Sequence, residues 1–199
     1  MTHNNKAVKK NMLRLTLALV LTIALALMCG CADQSGASKK VSKELDSLKS
    51  SDFMDSELTE LRSSLSADGK EDFDEFAAKL RDFDYEISDV SKSDDPEDDS
   101  TVVTVRIKTY DFGKEYLAEW TDYLKGHKEG PDADETAFYE ELFDRLSELE
   151  KKDHIKSVGI VCIEPIDNGE WIANVKENEE LQDAIFGGML GEMKTLAGE

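Results

Sequence analysis

An α+β fold with one antiparallel sheet is the class this sequence predicts, and two observations carry the prediction. Apolar residues recur every three or four positions through most of the chain, the spacing of helices with one buried stripe. Twice that spacing gives way to short alternating or apolar runs joined by turn residues, the pattern of a β-hairpin. The order reads three helices, a hairpin, two helices, a hairpin and a helix. About six helices should therefore pack with about four strands, covering at least one face of the sheet.

Val41, Leu45 and Leu48 predict a first short helix. Met54, Leu58, Leu61 and Leu65 predict a second, with Asp52 as its cap. Phe73, Phe76, Ala77 and Leu80 predict a third, after a turn at Asp68-Gly69. The period then falls to two. Phe83, Tyr85 and Ile87 alternate with Asp84, Glu86 and Ser88. In "TVVTVRIKTY", Val103, Val105, Ile107 and Thr109 fall on one face and Thr104, Arg106 and Lys108 on the other, which predicts a half-buried strand. The acidic stretch "SKSDDPEDDS", with Pro96, should join these two strands as a long hairpin loop.

Tyr116, Leu117, Trp120, Tyr123 and Leu124 share a helical face that "GHKEGPDAD" interrupts. Ala137, Phe138, Leu142, Leu146 and Leu149 form the next stripe, ending at Lys151-Lys152, where cations suit the negative end of a helix dipole. "IKSVGIVCIEP" reads as an apolar strand, "DNGE" as a tight turn and "WIANV" as the returning strand. A last helix carries Leu181, Ala184, Ile185, Met189 and Met193, weakened by Gly187-Gly188 or packed closely there.

The N-terminus is organised differently. Lys6, Lys9, Lys10 and Arg14 precede the uncharged run "LTLALVLTIALALM", the order of a secretory signal segment. A retained transmembrane anchor is the rival reading, since the stretch from Leu15 to Ala32 sits at the lower limit for spanning a bilayer. The run ends in "MCGC", which resembles the lipobox of bacterial lipoproteins. That resemblance implies cleavage after Gly30 and a diacylglyceryl group on Cys31, a two-chain anchor able to hold stably where one chain binds marginally. The domains then read as a signal peptide over 1–30, a lipidated cysteine and flexible tether over 31–39, and a single α+β domain over 40–199. A tether of about eight residues reaches at most ~28 Å, so the domain would sit at the extracytoplasmic face of the cell membrane.

Without the four signal cations, 44 acids face 20 bases, a net charge of −24. Such a surface disfavours nucleic acid and anionic lipid, which need a basic patch. Catalytic and metal motifs fare no better. "SLSADGKEDFDEF" echoes an EF-hand, but with Gly69 in the glycine position the first and third ligands become Ser64 and Ser66, and a helix start with solvated acids is expected. "DDPEDD" is rich in carboxylates, yet a specific site needs them to converge. His127, His154 and Cys162 are too scattered for zinc; both histidines are expected to be exposed, and Cys162 to be a buried strand residue. No cofactor is implied, and no constellation marks an enzyme.

The helices leading into "YEISDV…STVVTVRIKTYDF", the helical insert, "NGEWIANV" and the "LQDAIFGGML" tail resemble uncharacterised NTF2-like or cystatin-like lipoproteins of Gram-positive bacteria. That resemblance implies a cone-shaped pocket between sheet and helices. Tyr116, Trp120, Tyr123 and Trp171 are the residues expected to line it, with core packing as their bland alternative. The expected function is a membrane-anchored lipoprotein binding a small ligand or an envelope protein. The alternatives are a structural or regulatory envelope protein without a small ligand, and an NTF2-like pocket enzyme using a buried Asp or Tyr. The binding and enzyme readings require a polar-lined cavity, whereas the structural or regulatory envelope protein predicts a filled core with an exposed apolar patch.

Overall fold

A computed structural model describes residues 35–50, 56–92, 100–126, 135–164 and 169–198. Gly30, Cys31, the Asp52 cap, the Pro96 loop, His127 and the Asp167-Asn168 turn lie outside them. The elements follow the order α1 (Ser35–Ser50), α2 (Ser56–Ser64), α3 (Ala67–Arg81), β1 (Asp84–Lys92) and β2 (Ser100–Thr109). Then come α4 (Phe112–Gly126), α5 (Glu135–Ser147), β3 (His154–Ile163), β4 (Ile172–Ala173), α6 (Glu179–Ile185) and α7 (Met189–Ala197). The class is α+β, with seven helices among the described residues and one four-stranded antiparallel sheet in the order β1-β2-β3-β4.

Residues 37–199 make one compact unit built on two cores. In the first, α1 and α6 cover one face of the sheet. Ala37, Val41 and Leu45 of α1 and Leu181, Ala184 and Ile185 of α6 meet Val103, Val105 and Ile107 of β2 and Val158, Ile160 and Cys162 of β3. The second core is built mostly from helices and is largely aromatic. Phe73, Phe76 and Leu80 of α3 pack with Tyr116 and Tyr123 of α4, Phe138, Leu142, Phe143 and Leu146 of α5, and Met189 of α7. The Phe73 and Phe143 rings meet edge to face at 4.9 Å, an arrangement worth about 0.5–1.5 kcal/mol beyond the area it buries.

Several elements differ from their expectation, each for a local reason. Helix α1 begins at Ser35, inside the stretch read as tether, because Ala37 extends the Val41–Leu45 stripe by one turn. Asp68-Gly69 is no turn but the first turn of α3, with Ser66 as N-cap accepting from Gly69 N at 3.1 Å. Helix α5 stops at Ser147, and Lys152 instead bridges to Asp82 and Asp84 at 3.0 and 3.4 Å. The last helix is two. Gly187 and Gly188 take φ of +55° and +82°, a left-handed turn that ends α6 and starts α7 and leaves Met193 exposed. The turn packs against the first residues of α4, where Gly113 N donates to Gly187 O at 3.0 Å.

Candidate interaction surface

Alternation along β2 and β3 sends every second side chain away from α1 and α6, and among the described residues no helix packs on this side, although Ser100 at its end is buried. Register places them in cross-strand rungs. At one end Asp84, Lys108 and Ile155 stand side by side, followed by Glu86, Arg106 and Ser157. Thr104 pairs with Gly159 at the centre. Val102 pairs with Val161 next, and Ile163 with Ile172 at the far end. Ile155, Val161, Ile163 and Ile172 are 48, 44, 54 and 64% exposed, although a strand of this composition could bury either face. Among the described residues the sheet is thus covered on one side and uncovered on the other, with an apolar end and an end where acids stand in register with bases.

Three of the four candidate pocket residues come together, around a ring rather than a cavity, and the fourth lies apart. Tyr116, Trp120 and Tyr123 surround Phe138 at ring distances of 6.1, 5.6 and 5.3 Å, inside the helical core. Trp171 packs half-buried against the other core, beside β4. The space between the sheet and α1 and α6 is filled by the apolar side chains of the first core. Three hollows among the described residues are open surface grooves. One, of 480 Å³, runs beside α6 and α7 past Lys156, Asp183 and Met193. Another, of 280 Å³, lies at the charged end of the bare sheet face, between Glu86, Arg106 and Ile155.

Glu119 was hidden in the sequence, since the α4 stripe reads as Tyr116, Leu117, Trp120, Tyr123 and Leu124. Leu117 and Leu124 are exposed, and Glu119 takes the buried place between Tyr116 and Tyr123. Its side chain is 1% exposed, and Arg145 Nε lies 2.6 Å from Oε2. Burial pushes the carboxyl above the usual glutamate range against the pull of Arg145, and Glu141, by hydrogen bond and like charge, and the charge of Asp122 raise it further.

His154 is not the exposed residue expected. It opens β3 on the helix-facing side, under the Gly187-Gly188 turn, with its imidazole 22% exposed and Nδ1 3.9 Å from Asp111. Asp183 nearby accepts from Lys156 Nζ at 2.9 Å and from Gly191 N at 2.7 Å. Burial would raise its carboxyl, but these two donors and the His154 charge hold it below the usual range. The cluster ties α6, α7 and β3 together and encloses no cavity of its own. Cys162 is fully buried as expected, its thiol pushed up to about 11 chiefly by burial and also by Glu44. Ser64–Phe76 folds as the end of α2 and the start of α3, where Asp74 takes a bidentate pair from Arg62 at 2.6 and 2.7 Å.

No group of three or more metal-ligating side chains converges among the described residues, and none of their helices is long and apolar enough to cross a membrane. Comparison with family models, curated proteins and solved structures finds no match to this chain.

Proposed function

We propose that this chain is a lipid-anchored protein of the extracytoplasmic membrane face that works by binding a protein through the bare face of its sheet. The observation that supports it is the surface formed by Val161, Ile163 and Ile172, three β-branched side chains exposed together beside a filled core. An exposed apolar patch rimmed by polar residues is how protein contact sites differ from the rest of a surface, whereas small-molecule sites are concave. The signal segment and lipobox-like "MCGC" supply the address. Three residues separate Cys31 from the start of α1, so chain length alone limits that gap to ~14 Å. Docking to a neighbour already at the membrane suits so short a reach.

Two measurements test the proposal in cells making the full chain. Fatty-acid labelling should mark the wild type and be lost in Cys31→Ala; an unlabelled wild type that keeps its signal segment would establish the transmembrane anchor instead. A photo-reactive residue at Val161 should form a covalent adduct with a protein, while one at Thr121, exposed on α4, should not. No adduct from any position on the bare face would overturn the binding reading.

A further inference from the structure

We infer that the protein docking on the bare sheet face is cationic at its contact, presenting apolar side chains flanked by Lys or Arg to Val161, Ile163 and Ile172. The inference rests on the binding reading above and names the chemistry of its partner. Two observations carry it, the extent of the apolar end and the charge that borders it.

The apolar end is small and continuous. Val102 and Val161 form one rung, and Ile163 and Ile172 form the next. Strands ~4.8 Å apart with a rise of ~3.4 Å per residue make this a patch roughly 10 Å wide and 7 Å long between backbone positions. One helix or strand covers that, since a helix with its side chains is about 10–12 Å across. Gly159 serves the patch from within the chain. A Cβ there would lie 3.2 Å from Val102 Cγ1, so glycine leaves room for the Val102 side chain.

Charge is unevenly placed around this end. Glu164 follows Ile163 directly and Glu170 stands two residues before Ile172. Both are exposed, and neither forms an ion pair among the described residues. The other connection at this end, from Lys92 to Ser100, reads "SDDPEDD", five acids and no base. It lies outside the described residues, yet chain length alone keeps each of its residues within about 14 Å of Lys92 or Ser100. Lys92 itself pairs with buried Thr101, which puts it on the covered side. The bases of β2 on the bare side, Arg106 and Lys108, begin ~13 Å along the strand from Val102.

An apolar patch bordered by acids selects its partner. Apolar contact supplies affinity, and the acids favour a surface of opposite sign and steer its approach. The same acids oppose an anionic lipid surface. They also oppose a second copy of this chain, which brings 44 acids against 24 bases.

Fluorescence anisotropy of labelled amphipathic peptides with the purified full chain in neutral detergent tests this. One peptide is built of Leu and Lys, a second of Leu and Glu, and a third of Ser and Lys. The Leu-Lys peptide should bind, and should crosslink to a photo-reactive residue at Ile172 but not at Thr121. The other two should bind about tenfold more weakly or worse, one repelled and one without apolar contact. Raising salt from about 0.01 M to about 0.15 M should weaken the Leu-Lys complex, because screening removes the attraction. Glu164→Gln and Glu170→Gln should each weaken it about 1.5- to 5-fold, the range of an exposed charge pair. Glu148→Gln and Glu150→Gln, exposed before the opposite end of β3, should leave it unchanged.

Ile163→Ser and Val161→Asp should also weaken the complex, with unchanged melting curves. A complex that Val161→Asp strengthens is held by charge alone and overturns the inference. So does a Leu-Lys peptide that fails to bind, or a Leu-Glu peptide that binds as well. The photo-adduct at Val161 in cells separates the two levels. A crosslinked segment with Lys or Arg around apolar residues supports both, while an acidic segment or a second copy of this chain overturns only the cationic partner. No adduct from the bare face overturns both.

Discussion

Glu119 and Cys162 show how burial sets chemistry one residue at a time. The Glu119 carboxyl has a raised pKa because the helical core removes it from water more than Arg145 compensates. A carboxyl with a higher pKa folded than unfolded makes the folded chain bind its proton more readily. Stability is then greatest below the unfolded pKa and falls as pH rises through the folded one. Glu119→Gln imitates the protonated form, so its melting temperature should exceed the wild type's at pH 7. The gain should shrink as pH falls below the ordinary glutamate value of about 4.3. A lower melting temperature for Glu119→Gln at pH 7 would show that the Arg145 contact outweighs burial. Cys162 makes a second case. A thiol raised to about 11 and fully buried should resist iodoacetamide at pH 8 in the folded protein and react once it is denatured, as read by peptide mass.

The junction of α6 and α7 depends on two glycines that the apolar spacing gave no reason to separate. A Cβ on Gly187 would lie 2.0 Å from the Tyr110 carbonyl oxygen, at a φ of +55°. Both partners are backbone, so no side-chain rotation relieves the collision. Gly187→Ala should lose about 1–3 kcal/mol to backbone strain alone and more to the clash, seen as a lower urea midpoint. Gly198→Ala is the contrasting variant. Its φ is +81°, but nothing lies within 4 Å, so the cost should stay near the roughly 1–2 kcal/mol of a left-handed residue. Equal losses for the two would mean that the contact with Tyr110 contributes nothing.

Across the whole molecule, charge and packing pull in opposite directions. A net charge of −20 works against compaction, while ion pairs such as Arg62–Asp74 and Lys194–Glu179 are on the surface. Exposed pairs are worth about 0–1 kcal/mol each, and salt weakens them as it weakens the repulsion. With nearly two acids for every base, the repulsion dominates the sum. The melting temperature should therefore rise as sodium chloride goes from about 0.01 M to about 0.5 M, and it should do so in Val161→Asp as in the wild type. A fall would mean that the ion pairs carry more stability than the net charge removes.

Much of the fold was legible because burial leaves a periodic trace within an element. Val103, Val105, Ile107 and Thr109 alternate in sequence and are all fully buried in the structure. Phe73, Phe76 and Leu80 share one helical face and one core. Glu119 broke no pattern that a reader could see, since a single acid on an acidic helix looks solvated until its neighbours are known. The split of the last helix depended on where Tyr110 lies, 77 residues before Gly187. The bare sheet face is the clearest case. Val161 and Ile163 are as apolar as their neighbour Ile160, yet only Ile160 is buried, because α1 and α6 cover one side of the sheet. The sequence by itself determined the class, the order of elements as far as the last helix and the inward face of β2. Only the tertiary structure decided which apolar residues were left uncovered, since periodicity records what lies on a face and not what packs against it.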